Sequence, residues 1–175
     1  MKQTHLNIEI KARANTIKIV EITAFLEEKK TDFKGIDHQI DTYFHTPNGR
    51  LKLRKGTIEN NLIHYHRPDG KQPKNSHVTL YKTTPNSNLK HLLINALGIK
   101  TVVDKYRAIY FIDNVKFHLD TVKDLGAFIE IEAIDVDGTI GEEVLQQQCR
   151  HYMQAFGIEA KDLVACSYSD LLIGK

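Results

Sequence analysis

Charged residues occur two positions apart in five separate segments of this 175-residue chain. The pairs are Glu9 with Lys11, Lys52 with Arg54, Lys105 with Arg107, His118 with Asp120, and Glu130 with Glu132. Residues two apart on a β-strand point to the same face, so both members of a pair can act on one ligand. Rows of lysine and arginine bind phosphate oxygens, whereas grouped carboxylates bind Mg²⁺ or Mn²⁺. The pattern predicts a site for a polyphosphate and its divalent metal.

Each pair taken alone also fits a solvated strand face, because antiparallel sheets commonly keep one face in water. The pattern as a whole favours a shared cavity, since the purely basic and the purely acidic pairs lie on different strands. The alternation does not by itself decide which face of each strand points inward.

The elements that must position these pairs are predicted from period-two alternation, turn residues and helix caps. The strands are predicted at residues 6–13, 39–45, 50–55, 62–67, 77–83, 101–112, 115–122 and 127–135. The helices are predicted from residue 15 or 16 to about 30, and at residues 86–97, 142–156 and 162–172. Antiparallel sheets of this kind often close into barrels. No linker or repeat interrupts the chain, so residues 1–175 are predicted to form one α+β domain.

Composition and charge narrow the function. Hydrophobic residues make up 41% and charged residues 26% of the chain, as in ordinary globular proteins. The net charge of +2 argues against a nucleic-acid binder. Cys149 and Cys166 lie far from any His/Cys cluster, which indicates buried thiols in a reducing compartment. The first 13 residues lack the apolar stretch of a signal peptide and no apolar run could span a bilayer, so we expect a cytoplasmic protein without membrane contact.

Five segments, in chain order, resemble the CYTH superfamily of triphosphate tunnel metalloenzymes, in particular its class IV adenylyl cyclase-like branch. They are NIEIKAR (residues 7–13), IDTYFHTPNGRLKLRK (40–55), YHRPDG (65–70), VVDKYRAIY (102–110) and VKFHLDTVKDLGAFIEIEAID (115–135). The resemblance covers roughly residues 5–135. It implies a closed eight-stranded antiparallel β-barrel that forms a tunnel, with peripheral helices.

The resemblance also implies roles for individual residues. The triphosphate-binding residues would be Lys11, Arg50, Lys52, Arg54, Arg67, Lys105 and Arg107. The ligands of Mg²⁺ or Mn²⁺ would be Glu9, Asp120, Glu130 and Glu132. The catalytic roles would belong to Glu9, Lys11, Arg54 and Asp120.

The expected activity is metal-dependent hydrolysis of tripolyphosphate, thiamine triphosphate or a nucleoside triphosphate. The alternatives are an adenylyl cyclase that forms cyclic AMP, and a non-catalytic polyphosphate-binding module. The last is motivated by Asn7, which stands where the family motif usually has Glu. The partner is therefore a small-molecule triphosphate, and a homodimer is among the expected assemblies because the superfamily includes dimers. Of residues 62–67, we expect Tyr65 and Arg67 to face inward, with His64 and His66 as the alternative.

Overall fold

The computed structural model describes residues 4–66 and 74–174, with side chains described for residues 6–66 and 76–174. The strands of these residues are β1 (Thr4–Ala14), β2 (Asp32–Phe44), β3 (Arg50–Lys55), β4 (Asn61–His66), β5 (Lys74–Lys82), β6 (Ile99–Ile112), β7 (Val115–Val122) and β8 (Gly126–Asp135). The helices are α1 (Thr16–Glu28), α2 (Leu89–Leu97), α3 (Glu142–Ala155) and α4 (Tyr168–Ile173). The expected α+β class is confirmed.

The eight strands form an antiparallel ring. Around the ring they follow the order β1-β5-β4-β3-β2-β6-β7-β8, and β1 pairs with both β5 and β8. Neighbouring strands pair in fixed registers, so the inward-facing side chains of one strand lie beside those of the next. Glu9 lies opposite Glu132, and Lys11 opposite Glu130, across the pairing of β1 with β8.

The apolar core lies outside part of the ring, and the charged faces point inward. Ile8, Ile10 and Ala12 of β1 are buried beneath α1 and α3, together with the outward apolar residues of β7 and β8. Leu26 of α1 and Leu145 of α3 are both 0% exposed in this core. Burial of these residues stabilises the helices against the ring, because each large apolar side chain contributes about 1.5–3 kcal/mol when removed from water. The charged residues between them therefore face the interior.

Two element boundaries differ from the sequence-based prediction by more than three residues. Strand β2 begins at residue 32, seven residues earlier than predicted, and its first part contains a bulge at Gly35. Gly35 has φ +116°, a conformation that favours glycine. The bulge interrupts the period-two alternation, so the sequence does not show this part of the strand. The predicted helix over residues 162–172 is wrong in its first half, because the segment before Tyr168 is not helical and Leu163 forms a β-bridge with Ala12 of β1. Helix α4 begins only at Tyr168.

None of the described helices is long and apolar enough to cross a membrane. Both cysteines are free thiols; Cys149 is buried as predicted, whereas Cys166 is only partly buried.

Candidate active site

A cavity of ≈ 170 Å³ lies within the ring. Its lining includes six cationic and four acidic side chains among those described. They are Lys11, Lys52, Arg54, Lys105, Arg107 and Lys116, with Glu9, Glu59, Glu130 and Glu132. Opposite charges from five strands and one turn thus meet around one small volume, and the cations outnumber the acidic residues among these lining side chains.

Asp41 of β2 gathers three cationic side chains at the cavity wall. Its carboxylate accepts hydrogen bonds from Lys52 Nζ at 2.9 Å, from Lys105 Nζ at 2.8 Å, and from Arg54 Nε and Nη2 at 2.8 and 2.9 Å. Burial alone would raise the pKa of the Asp41 carboxyl, but the positive charges of the three partners hold this pKa well below its usual range. Asp41 therefore stays ionised and keeps three like charges close together.

Arg107 of β6 is held by two carboxylates. Asp120 accepts from Arg107 Nε at 2.7 Å and Nη2 at 2.5 Å, and Glu130 accepts from Nη2 at 2.7 Å. The Tyr168 hydroxyl donates to Asp120 at 2.8 Å, and Lys11 Nζ lies 3.2 Å from the Glu130 carboxylate. Lys11 Nζ also lies 3.9 Å from the centre of the Tyr168 ring, a cation–π contact. These bonds fix the Arg107 guanidinium at the cavity wall.

His118 of β7 is 3% exposed and lies beside the Glu130 carboxylate that also binds Arg107. Its Nδ1 lies 3.0 Å from Glu130, whereas its buried Nε2 has no hydrogen-bond partner among the described residues. Burial and the nearby charges of Arg107 and Lys116 lower the pKa of His118 to about 4. A neutral imidazole that donates through Nδ1 leaves the Nε2 lone pair available to a ligand in the cavity.

A turn after β3 brings Glu59 into the cavity. The Glu59 carboxylate accepts from Arg54 Nη1 at 2.8 Å and from Lys116 Nζ at 2.5 Å. The turn is anchored by the buried Asp37 carboxylate, which accepts from the backbone N–H groups of residues 58 and 59. A Cβ at Gly56 would lie 2.7 Å from the Asp37 carboxylate oxygens, so a glycine permits this close approach.

Oxygen donors collect on the opposite side, where β1 pairs with β8. The Asn7 amide donates to the Glu132 carboxylate, and Glu9 lies opposite Glu132 in the register. The Asn7 side-chain oxygen is buried and has no hydrogen-bond partner among the described residues. No three His, Cys, Asp or Glu side chains within the described ranges cluster as a metal site. The two glutamates and the Asn7 oxygen nevertheless match the donor types that Mg²⁺ and Mn²⁺ prefer.

Most of the predicted site residues meet at this cavity. Those that line it are Glu9, Lys11, Lys52, Arg54, Lys105, Arg107, Glu130 and Glu132. Asp120 lies behind the wall, where it is 1% exposed and binds Arg107 and Tyr168. Arg50 contacts Asp170 at 2.9 Å and lines a separate cavity of ≈ 90 Å³. Tyr65 faces inward as expected, with His64 and His66 exposed, and Arg67 lies outside the described residues.

Four members of this network were not predicted from the sequence: Asp41, Glu59, Lys116 and Tyr168. Lys116 could have been found, because it lies two residues before His118 on the same strand face. Asp41 had no charged residue two positions away to mark it. Glu59 lies in a turn, whose direction no strand period predicts.

Comparisons with known proteins agree with this architecture. A family model for the CYTH domain matches residues 5–168, whereas no curated protein sequence matches significantly. The structure is similar to the PH1012 protein from Pyrococcus horikoshii, with a TM-score of 0.72 and 25% identity over 94% of this chain and 98% of that one. A candidate adenylate cyclase from Vibrio parahaemolyticus has the same fold, with a TM-score of 0.71 and 19% identity over 99% of both chains.

The fold is also shared with the candidate adenylyl cyclase HpAC1 from Hippeastrum, which is described as having a dominant triphosphatase activity. That similarity has a TM-score of 0.62 and 12% identity, over 97% of this chain and 94% of the other. The family match extends from β1 to the first residue of α4 and so includes nearly the whole ring. The chain belongs to the CYTH domain family.

Proposed function

We propose that this protein is a divalent-metal-dependent hydrolase of a triphosphate. In this proposal the triphosphate binds inside the ring, which forms the closed tunnel that the sequence predicts. The observation that carries the proposal is the convergence of six described cationic side chains, from four strands, on one cavity. A triphosphate carries several negative charges at small spacing, so its oxygens can contact several of these cations at once. The family membership and the triphosphatase activity described for HpAC1 support the same class of substrate.

The cations are positioned before the ligand arrives. Arg54 and Arg107 each form a two-bond contact with a buried aspartate, which fixes the plane of the guanidinium. In our proposal their remaining N–H groups, with Lys52 and Lys105, bind phosphate oxygens. Such preorganised charge stabilises the negative charge that the transferred phosphoryl group carries in the transition state.

We assign the metal to the β1–β8 side of the cavity, where Glu9, Glu132 and the Asn7 oxygen would hold it. A divalent ion bound there supplies Lewis-acid polarisation of the phosphate and a lowered pKa for water. In our proposal the triphosphate lies extended between the cationic side chains on one side of the cavity and the oxygens of Glu9, Glu132 and Asn7 on the other. His118 Nε2 would accept a hydrogen bond from a group in the cavity, which helps to orient it.

The test is a product assay with tripolyphosphate, thiamine triphosphate and ATP, each with Mg²⁺ and with Mn²⁺. We expect phosphate release that stops when the metal is chelated. Cyclic AMP with pyrophosphate would instead identify an adenylyl cyclase. Tight binding of all three compounds without turnover would contradict both enzymatic functions and indicate a polyphosphate-binding module.

A further inference from the structure

A turn between β3 and β4 carries an acidic side chain into the ring, and we call its residues 56–60 the Glu59 turn. Asp37, which is 0% exposed, accepts a hydrogen bond from the Thr57 hydroxyl at 2.9 Å in addition to those from the backbone of the turn. Asn60 forms two further hydrogen bonds with the backbone at the start of the turn, at 3.2 and 2.9 Å. The position of Glu59 is therefore fixed by a buried anchor as well as by its ion pairs.

Glu59 joins two strands that are not neighbours in the ring. It contacts Arg54 of β3 through one carboxylate oxygen and Lys116 of β7 through the other. Because β2 and β6 lie between β3 and β7, these three side chains cross the ring in front of the inward faces of β2 and β6. The buried Gln39 of β2 donates to the same carboxylate at 3.1 Å. Lys116 is the second residue of β7, which places this crossing at the end of the ring that holds the β6–β7 hairpin.

Aromatic side chains bound the described cavity on the other side of its cations. They are Tyr43, Tyr65 and Tyr168, and all three are buried. The Glu59 turn follows the end of β3, whereas Tyr43 pairs with Lys52 in the middle of that strand. Tyr65 pairs with Arg50 at the start of the strand. Among the described residues, the space for a phosphate chain thus lies between Glu59 and these tyrosines.

We infer that Glu59 limits the length of the phosphate chain that the cavity accepts, and so selects triphosphates against longer polyphosphates. This inference rests on the proposed function and names a residue that determines its specificity. Burial alone would raise the pKa of the Glu59 carboxyl, but the charges of Lys116 and Arg54 lower this pKa, so Glu59 is negatively charged at neutral pH. A chain that extends past Arg54 brings a further phosphate against this charge, and like charges inside a protein repel more strongly than in water. Glu59 could move aside only by giving up both ion pairs, while Asp37 holds its backbone in place.

The test is calorimetry on the whole protein in the presence of EDTA, with inorganic tripolyphosphate and tetrapolyphosphate as the probes. We expect the wild-type protein to bind tripolyphosphate about tenfold more tightly, which corresponds to a partly screened repulsion between two charges. Without such a repulsion, the additional charge of the longer chain would favour its binding to a cationic cavity. Equal affinities for the two chains, or tighter binding of tetrapolyphosphate, would overturn the inference.

Glu59→Gln keeps the shape of the side chain and removes its charge. It should raise the affinity for tetrapolyphosphate about tenfold more than the affinity for tripolyphosphate, so that the preference disappears. Such a gain in binding is a result that misfolding cannot imitate. Glu59→Asp, which keeps the charge, should keep the preference. Equal gains for the two chains in the Gln variant would mean that Glu59 competes with every anion alike, and the inference would fail.

The matched control is Glu28→Gln, the same substitution at the exposed last residue of α1. It changes the net charge equally but lies outside the ring, so the ratio of the two affinities should stay at the wild-type value. A shift equal to that of Glu59→Gln would attribute the preference to net charge and contradict the inference. If neither phosphate binds the wild-type protein, the proposed function fails together with the inference; if both bind with equal affinity, only the inference fails.

Discussion

The acidic residues inside the ring form two groups that differ in their surroundings. The side chains of Asp41 and Asp120 are 1% and 0% exposed, and each accepts at least three hydrogen bonds from cationic or hydroxyl donors. Glu59 and Glu132 line the cavity, and the Glu59 side chain is 21% exposed. The buried aspartates hold cations in place, whereas the cavity-facing glutamates are within reach of a ligand or metal.

The difference shows that residue type and strand spacing do not fix the role of a carboxylate. Asp120 shares the spacing that suggested a metal ligand, yet its oxygens are engaged by Arg107 and Tyr168. A buried carboxylate surrounded by donors supports its partners, because its lone pairs are already used. A carboxylate at the edge of the cavity can exchange its partner for a metal ion without leaving a buried charge unpaired.

The largest effect is expected from Asp41→Asn. This change leaves Lys52, Arg54 and Lys105 without their shared counter-charge, and breaking a buried ion pair costs about 3–5 kcal/mol. The free energy of unfolding, measured by urea denaturation, should fall by about that amount. The control is Asp104→Asn, since Asp104 forms an ion pair with His38 and its side chain is 37% exposed. A loss below about 1 kcal/mol for both variants would contradict the supporting role of Asp41.

The next largest effect separates Glu132 from Asp120. Glu132→Gln should lower metal-dependent turnover by at least about a hundredfold. Mutating a residue that only orients a metal ligand already costs about 10- to 100-fold, and loss of a direct ligand should cost more. It should leave metal-free triphosphate binding nearly unchanged. Asp120→Asn should instead weaken metal-free binding, because the Arg107 guanidinium loses the partner that orients it. Turnover assays and calorimetry with EDTA measure the two effects.

The same pair of variants tests the sequence-based assignment of Asp120 to the metal. If Asp120 is a ligand, both variants should shift the Mg²⁺ concentration needed for half-maximal turnover in the same way. If it supports Arg107, only Glu132→Gln should shift that concentration. A shift with Asp120→Asn alone would mean that the buried Asp120 binds the metal and that the cavity-facing Glu132 does not.

A smaller effect is expected at Glu59. Its carboxylate contacts Arg54, which we propose binds phosphate, and Lys116, which lines the same cavity. Glu59→Gln removes a competing anion and should tighten metal-free tripolyphosphate binding by about three- to tenfold, consistent with the strength of charge-assisted hydrogen bonds. Calorimetry measures the change, and Glu59→Asp, which keeps the charge, is the matched control. Weaker binding in the Gln variant would instead identify Glu59 as a support for Arg54.

Much of the ring could be predicted because each strand carries its own period-two signal. The predicted bounds of β3 and β7, residues 50–55 and 115–122, coincide with the observed strands. The first part of β2 could not be predicted in this way, because the bulge at Gly35 shifts the register against β6. Local alternation therefore predicts strands well where pairing is regular and fails where the register changes.

The site could be predicted only where its residues lie on regular strands. The position of Tyr168 depends on residues 162–164, which pair with β1 through the backbone bonds of Arg13 to Asp162 and of Val164 to Lys11. That pairing joins segments about 150 residues apart and leaves no periodic trace in either. The network around Asp41 likewise depends on three strands meeting, which neighbouring residues in the sequence do not reveal.

The final effect concerns the pH dependence of stability through Lys105. Burial lowers the pKa of Lys105 to about 7, helped by the charges of Arg54, Arg107 and Lys52 and opposed by Asp41. The unfolded chain, with an ordinary lysine pKa of 10.5, then binds more protons than the folded protein between about pH 7 and 10.5. Stability therefore rises with pH across this window, by at most about 1.4 kcal/mol per pH unit. Lys105→Met removes the titrating group, so urea denaturation at pH 7, 8 and 9 should show a smaller rise in the variant. If the pH profiles of the wild-type protein and the variant are parallel, Lys105 remains charged beside Asp41 over this range. The attraction to the Asp41 carboxylate would then outweigh the cost of burying the lysine charge.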